Sequence, residues 1–263
     1  MKEKWIVLVV AVVLLTVGNV QGGAIRPGFN SSSLDRTDDG SSGLTPVGFD
    51  LNFYGNTYAS LYVNTNGNVT FNEAMWVWTP FNMTTTGTPI IAPFFADVDT
   101  RAAGSAVVQF GSGMVDGHNA FGVNWINVGY YNELVDKLNS FQLVLIDRSD
   151  RAPGDFDVEF NFDKILWETG DASGGVNGFG GESARVGFSN GTGLAGTFFE
   201  LDGSGVAGHL LDGSLTGLIY NSLNCEVQGR YVFNVTNAPA PGALLLGGIG
   251  ISLLGYLRRR RML

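Results

Sequence analysis

Carboxylates at alternate positions are the residues best placed to do chemistry in this sequence. Between Asp155 and Phe162, the acidic residues Asp155, Asp157 and Glu159 alternate with apolar ones. In a β-strand they would share one face at a spacing of about 6.6 to 7 Å. That spacing suits the carboxylate pair of an inverting glycosidase or a cation site. The interpretation that we favour is a solvated strand face, because an acidic protein must place its carboxylates somewhere.

Asp97 and Asp99 form a second candidate site. They are two residues apart near the end of a predicted strand, so both side chains can face the same way. Carboxylate oxygens are the ligands that calcium prefers. Arg101 lies on the same side, however, and a guanidinium can bind carboxylates directly. The pattern therefore predicts either a calcium site or a structural Asp–Arg cluster, and no other cofactor is expected.

The remaining reactive side chains do not indicate catalysis. His118 lies in a predicted turn and His209 in a glycine-rich stretch, which is typical of exposed histidines rather than catalytic bases. The single cysteine, Cys225, excludes Cys-rich zinc sites and a disulfide framework. Aromatic side chains are candidates for stacking on a glycan or packing on a protein, or else belong to the core. They are Trp76, Trp78, Trp125, Tyr130 and Tyr131.

The composition indicates a β protein and counts against nucleic-acid binding. Of 263 residues, 44% are hydrophobic, only 15% are charged and 38 are glycine. Many short turns would account for this glycine content, which counts against a helical bundle. The formal net charge of -9 would repel polyphosphate, so nucleic acid is not an expected partner.

The N-terminus has the order of a secretory signal peptide. Two early lysines precede the apolar run from Trp5 to Leu15, which small and polar residues follow. We assign residues 1–23 to this signal, with cleavage after Gly22 or after Ala24. An uncleaved anchor is the alternative.

The C-terminal residues 238–263 combine prolines, a short apolar stretch and an arginine cluster. A helix over 243–257 would be about 22 Å long, short of a hydrocarbon core about 30 Å thick. The arrangement resembles the PEP-CTERM sorting signal of bacteria, with Ala240 where that family usually has Glu. The resemblance implies processing by a membrane exosortase after transient membrane attachment. A permanent single-pass anchor is the alternative. The signal residues are Pro239, Pro241, Arg258, Arg259, Arg260 and Arg261.

Between these ends, apolar and polar residues alternate with period two, and turn residues separate short runs. Without convincing amphipathic helices between the runs, this pattern predicts an all-β fold, an antiparallel β-sandwich with Gly-rich loops. We expect the segment from Glu168 to Glu182 to be an exposed loop. The predicted strands are Phe49–Phe53, Ala59–Val63, Val69–Phe71, Ile90–Val98, Ala106–Phe110, Phe121–Ile126, Phe141–Ile146, Phe156–Phe162, Ala184–Ser189, Thr197–Leu201 and Gly229–Val235.

Several motifs in order resemble the NIDO domain, the extracellular module of nidogen-type proteins. They are Ile91–Arg101, Phe141–Ile146, Gly154–Phe160, Ile165–Asp171, Ala184–Gly191 and Phe199–Leu201. The segments Leu61–Gly67 and Gly229–Phe233 resemble the strands that lead into and close such domains. The resemblance implies an extracellular adhesion or matrix module, and it supplies no established catalytic residues.

These observations predict five segments. The signal peptide precedes N-terminal strands over 24–89, a NIDO-like domain over 90–203, a closing strand region over 204–237 and the sorting segment. The predicted protein is a bacterial cell-surface or matrix-associated adhesion module that binds extracellular polysaccharide or a surface protein and is not an enzyme. A glycan-active hydrolase using Asp157 or Glu159, or a purely structural matrix protein, is the alternative.

Overall fold

The computed structural model describes residues 23–236, in which 13 β-strands and two short 3-10 turns occur. The 3-10 turns cover Asp171–Ser173 and Leu218–Tyr220. The strands are β1 (Ser32–Ser33), β2 (Thr45–Phe53), β3 (Asn56–Asn64), β4 (Asn68–Thr70), β5 (Pro89–Phe95), β6 (Val98–Asp99), β7 (Gln109–Val115), β8 (His118–Tyr130), β9 (Leu134–Asp147), β10 (Phe156–Lys164), β11 (Arg185–Asn190), β12 (Phe198–Glu200) and β13 (Arg230–Val235).

The strands form two antiparallel sheets. The first has the order β1-β7-β8-β9-β10-β13, with β6 paired to β8, and the second has the order β12-β11-β5-β4-β3-β2. Rings from the two sheets meet in one core. The centroids of Phe94 and Phe141 are 5.2 Å apart, and those of Phe188 and Phe233 are 5.4 Å apart. The prediction of an all-β antiparallel sandwich is confirmed for these residues.

Strand β10 shows why the sequence folds this way. Its apolar residues alternate with polar ones and point into the core, since side chains on a strand alternate between faces. In the register with β9, Val158 lies opposite Leu145 and Phe160 lies opposite Leu143. All four side chains are fully buried. This strand was predicted almost to its observed bounds.

Residues 24–29, here called the N-terminal strap, cross the outer face of the first sheet. The amide of Arg26 donates to Gln142 Oε1 at 3.0 Å, and Gln142 Nε2 donates back to the Arg26 carbonyl at 2.9 Å. Asn124 Nδ2 donates to the carbonyls of Gly28 and Phe29 at 2.9 and 3.0 Å. Side-chain amides on β8 and β9 therefore bind the strap backbone much as a neighbouring strand would.

Phe29 packs the end of the strap into a small cluster separate from the main core. Its ring lies over Gly113 and Gly122, where an added Cβ would come within 2.7 and 2.4 Å of ring carbons. The absence of side chains at these two positions makes room for the ring. The other members of the cluster are Val115, Ala120, Val144 and Ile146.

The predicted strand Ile90–Val98 is divided in the structure. Strand β5 ends at Phe95 in the second sheet, and β6 begins at Val98 in the first. Ala96 and Asp97 carry the chain across the sandwich. The sequence shows one continuous apolar run because the residues of β5 are buried in the second sheet and those of β6 are buried in the first.

The segment Glu168–Glu182 is less exposed than predicted. Glu168 and Thr169 are buried. The Glu168 carboxylate accepts hydrogen bonds from the amides of Gly208, at 2.9 Å, and Gly180, at 3.2 Å. The prediction of an exposed loop is wrong at this end, because the buried carboxylate binds the backbone of two glycine-rich segments.

The predicted signal peptide, except its last residue, and the predicted sorting segment lie outside the described residues. Across 23–236, no helix has both the length and the apolar character needed to cross a membrane.

Candidate functional site

The chain crossover places Asp97 at one end of the sandwich. Its backbone carbonyl accepts a hydrogen bond from the amide of Tyr131 at 3.2 Å, next to the end of β8. Its side chain lies in a pocket of about 210 Å³ whose other walls are Asp38, Asp39, Trp78, Tyr131 and Ala172. This acidic pocket is the candidate site.

Three carboxylates meet in the acidic pocket. One oxygen from each of Asp38, Asp39 and Asp97 lies within 4.8 Å of the others. Asp38 and Asp39 come from the segment between β1 and β2, far from Asp97 in the chain. Asn66 links the two parts, because its Nδ2 donates to Asp39 Oδ1 at 2.7 Å and its Oδ1 accepts from the amide of Val98 at 2.9 Å. The fold thus holds the acidic groups together.

The carboxylate of Asp97 is buried without a hydrogen-bond partner among residues 23–236. It is 1% exposed, and within the part of the chain that the structure describes neither of its carboxylate oxygens has a hydrogen-bond partner. Asp38 Oδ1 is likewise buried and unpartnered there. A buried ionised carboxylate is costly unless something compensates its charge.

Burial and the closeness of the carboxylates to one another shift their pKa values. Burial raises the pKa of Asp97 to about 7, and the carboxylates of Asp38, Asp39 and Asp99 act in the same direction. Burial together with Asp99 and Asp39 raises the pKa of Asp38 to about 6, although Arg101 acts in the opposite direction. Burial also raises the pKa of Asp39, which the hydrogen bond from Asn66 opposes. The pocket therefore favours a bound positive charge.

Gly170 lies against two residues of the pocket wall, Asp97 and Tyr131. A Cβ at this position would lie 2.6 Å from Asp97 Oδ2 and 2.8 Å from Tyr131 Cβ. Both distances are shorter than ordinary van der Waals contact. Only glycine fits here without moving the Asp97 carboxylate.

Asp99 lies beside the pocket but binds Arg101. The guanidinium reaches Asp99 through Nε, at 3.0 Å, and Nη2, at 2.6 Å, and its Nη2 is 3.1 Å from Asp38 Oδ2. The amide of Glu133 also donates to Asp99 Oδ2 at 2.8 Å. Burial acts to raise the pKa of Asp99, but the bonds from Arg101 and Glu133 hold it below its usual value. This is the geometry of the Asp–Arg cluster. A cation shared by Asp97 and Asp99 stays a prediction.

The predicted contact aromatics divide into two groups. Trp76 and Trp78 are exposed, at 61% and 43%, and Tyr131 is half-buried on the pocket wall. Trp125 and Tyr130 are core residues instead, which corrects their assignment to a contact surface.

Packing and hydrogen bonds explain this burial. Trp125 stacks on Phe141 and donates from Nε1 to the carbonyl of Thr65 at 2.9 Å. Tyr130 stacks on Trp167, and its hydroxyl donates to Asp136 at 2.8 Å. Their rings therefore do not reach an external ligand.

The acidic face of β10 is not solvated, contrary to our expectation. Asp155, Asp157 and Glu159 are all buried. Asp157 accepts hydrogen bonds from Arg148, at 2.8 Å, and Arg151, at 2.7 Å. Arginines in the loop between β9 and β10 therefore neutralise this carboxylate.

Glu159 is neutralised in the same way, by the N-terminal strap. Arg26 binds it through Nε and Nη2 at 2.7 and 2.9 Å, and Nε of Arg230 lies 3.4 Å from it. Asn161 donates to the same carboxylate at 2.7 Å. The contacts of Asp157 and Glu159 favour a structural role for both.

Sequence reasoning missed Asp38 and Asp39. The signal in the sequence was two adjacent carboxylates before Gly40, typical of a turn. Nothing in their spacing connects them with Asp97, since a sheet crossover and the side chain of Asn66 bring the groups together.

By its geometry, the chain is an all-β sandwich protein with an acidic pocket at one end of the sandwich. The family model of the nidogen-like domain (NIDO) matches residues 59–237. The chain belongs to this family. The match extends beyond the predicted segment 90–203 at both ends. It includes Asp97, whereas Asp38 and Asp39 precede it.

The similar proteins are much longer than this chain. Alpha-tectorin of Mus musculus is 30% identical over 230 residues, which cover 78% of this chain and 10% of that protein. Nidogen of Drosophila melanogaster is 27% identical over 248 residues, covering 78% of this chain and 17% of that protein. Nidogen-2 of Mus musculus is 32% identical over 180 residues, 53% of this chain and 12% of that protein. No solved structure matches the chain significantly.

Proposed function

We propose that this chain is an exported, non-catalytic adhesion module of the bacterial cell surface or extracellular matrix. Membership of the nidogen-like family, over residues 59–237, carries the proposal. The resemblance noted in the sequence associates that family with cell–matrix adhesion. The chain covers only 10% of mouse alpha-tectorin and 17% of the Drosophila nidogen, so the ligands of those proteins are not transferred to it.

The contact surface that we propose lies between β4 and β5. Trp76, Val77 and Trp78 are three consecutive exposed apolar residues. Trp78 also borders the acidic pocket together with Tyr131. Exposed indole and phenol rings offer flat apolar faces with a polar edge, which suits both sugar rings and protein side chains. Extracellular polysaccharide or a surface protein is the proposed ligand.

The buried ion pairs of β10 support a binding role over the hydrolase alternative. A general acid or base must reach the bond that it acts on. Asp157 is held by Arg148 and Arg151, and Glu159 is held by Arg26. These carboxylates are better explained as the groups that fix the strap and the loop between β9 and β10.

Delivery to the cell surface is the second part of the proposal. Residues 1–23 would direct export. The segment 238–263 would be sorted by an exosortase-type enzyme through Pro239, Pro241 and the cluster Arg258–Arg261, after attachment to the membrane. This part rests on the sequence patterns.

Cosedimentation with extracellular polymer from the producing cells tests the binding role. The mature chain should sediment with the polymer, and the W76A/W78A variant should lose most of this binding. Leu215, which is 95% exposed, provides the control substitution L215A, which should bind like the native chain. Release of new reducing ends would support the hydrolase instead. Sedimentation without polymer would support a self-assembling structural protein.

A further inference from the structure

The acidic pocket has the features of a site that binds an ion. The family assignment does not describe such a site. We propose that it binds one calcium ion through Asp38, Asp39 and Asp97. The inference is independent of the adhesion proposal, because it concerns the ion alone.

The spacing of the oxygens fits a single ion. Calcium binds oxygen ligands at about 2.3 to 2.6 Å, so two ligands of one ion lie at most about 5 Å apart. The three carboxylate oxygens are within 4.8 Å of one another. No side chain has to move far for all three to reach a common centre.

The unpartnered oxygens are the second, independent observation. Both oxygens of Asp97 and one of Asp38 are buried without hydrogen-bond partners among residues 23–236. Their side chains line the same pocket. Folded proteins rarely leave buried polar atoms unsatisfied, and a cation bound between these two carboxylates would satisfy them together.

Arg101 does not already supply the missing charge. Its guanidinium binds both oxygens of Asp99 and approaches Oδ2 of Asp38. The other oxygen of Asp38, Oδ1, has no hydrogen-bond partner in the part of the chain that the structure describes. Counting Asp38, Asp39, Asp97 and Asp99 against Arg101 leaves an excess of negative charge. A divalent cation would offset most of that excess.

The donor set favours calcium over transition metals. The cluster consists of carboxylates, whereas zinc and copper favour histidine or cysteine. Calcium also tolerates an irregular shell completed by water. At about 30 Å³ for each water, a pocket of about 210 Å³ has room for an ion and several waters.

Ion binding can be measured directly on the chelator-treated mature chain at about pH 8, where the carboxylates are ionised. Calorimetric titration with calcium chloride should give one ion per chain, with a Kd of about 10⁻³ M or tighter, the range of extracellular sites. Terbium, a calcium substitute, should show luminescence sensitised by Trp78, which lines the same pocket. Calcium should quench it by competition.

Matched variants assign the binding to the pocket. Asp97→Asn keeps the shape of the side chain but removes its charge, and it should weaken calcium binding at least tenfold. Gly170→Ala should weaken binding as well, because its Cβ would displace Asp97 Oδ2. The control Asp202→Asn removes one exposed charge elsewhere and should bind like the native chain.

A folding defect can be distinguished from a lost site. In chelator, the Asp97→Asn protein should melt no lower than the native chain, because it lacks the buried unpartnered carboxylate. It should also show no rise in melting temperature on adding calcium. Failure of the native chain to bind calcium, or equal binding by Asp97→Asn, would overturn the proposal.

Discussion

Replacing Phe29 with alanine should loosen the N-terminal strap. The ring is 5% exposed, and it fills a cluster formed by β7, β8 and β9. The backbone of Phe29 has φ of 57°, a left-handed conformation that costs roughly 1 to 2 kcal/mol for a residue with a Cβ. Burial of the ring must offset that cost. Removing a buried Phe ring typically costs about 3 to 5 kcal/mol. We expect about 3 kcal/mol here, because water can enter from the surface.

Chemical unfolding with guanidinium, followed by the fluorescence of the buried Trp125 and Trp167, measures this free energy. The expected loss corresponds to a fall in melting temperature of about 6 to 12 °C for a domain of this size. The exposed-site control L215A should stay within about 0.5 kcal/mol of the native chain.

A double-mutant cycle with Gly113 tests the contact itself. A Cβ at Gly113 would lie 2.7 Å from Phe29 Cε1, and the other close atoms also belong to this ring. Gly113→Ala should therefore cost about 1 to 3 kcal/mol in the native chain through overpacking. In the F29A background the ring is absent, so the same change should be neutral or slightly stabilising. Additive costs, or an F29A protein as stable as the native one, would refute the proposed packing of the strap.

Three further outcomes are expected. Calcium at about 100 times its Kd should stabilise the chelator-treated chain by about 2.7 kcal/mol and raise its melting temperature by about 5 to 11 °C in differential scanning calorimetry; an unchanged melt would count against the ion site. Glu159→Ala should cost about 3 to 5 kcal/mol in guanidinium unfolding, because it leaves Arg26 and Arg230 without their carboxylate partner; a fully stable variant would contradict this. N-terminal sequencing of the native protein should show cleavage after Gly22. This site keeps the carbonyl of Ala24, which accepts a hydrogen bond from Arg230 Nη2 at 2.7 Å. A mature chain that begins at Ile25 would lack this acceptor and would contradict the prediction.

The strands could be predicted from the sequence because sheet burial leaves a local, period-two signal. β10, β11 and β13 follow the predicted runs closely. The prediction failed where the same apolar run serves two sheets, as at the crossover containing Asp97. It also missed β1, a two-residue strand of serines, which carries no apolar alternation.

The candidate site was only partly accessible to sequence reasoning, because it depends on contacts between distant segments. Asp97 was singled out, but as a partner of Asp99, which Arg101 binds. The prediction that the acidic face of β10 is solvated was wrong for the same reason. Nothing local in the sequence shows that Arg26 would cross the sheet to reach Glu159.

Quantitative mass spectrometry of native protein recovered separately from cytosol, envelope and extracellular matrix most directly tests the central claim, that the protein acts at the cell surface or in the matrix. We predict that most of the protein is in the matrix or at the cell surface, without the first 22 residues. Most of the protein in the cytosol, with its N-terminus intact, would contradict the proposal.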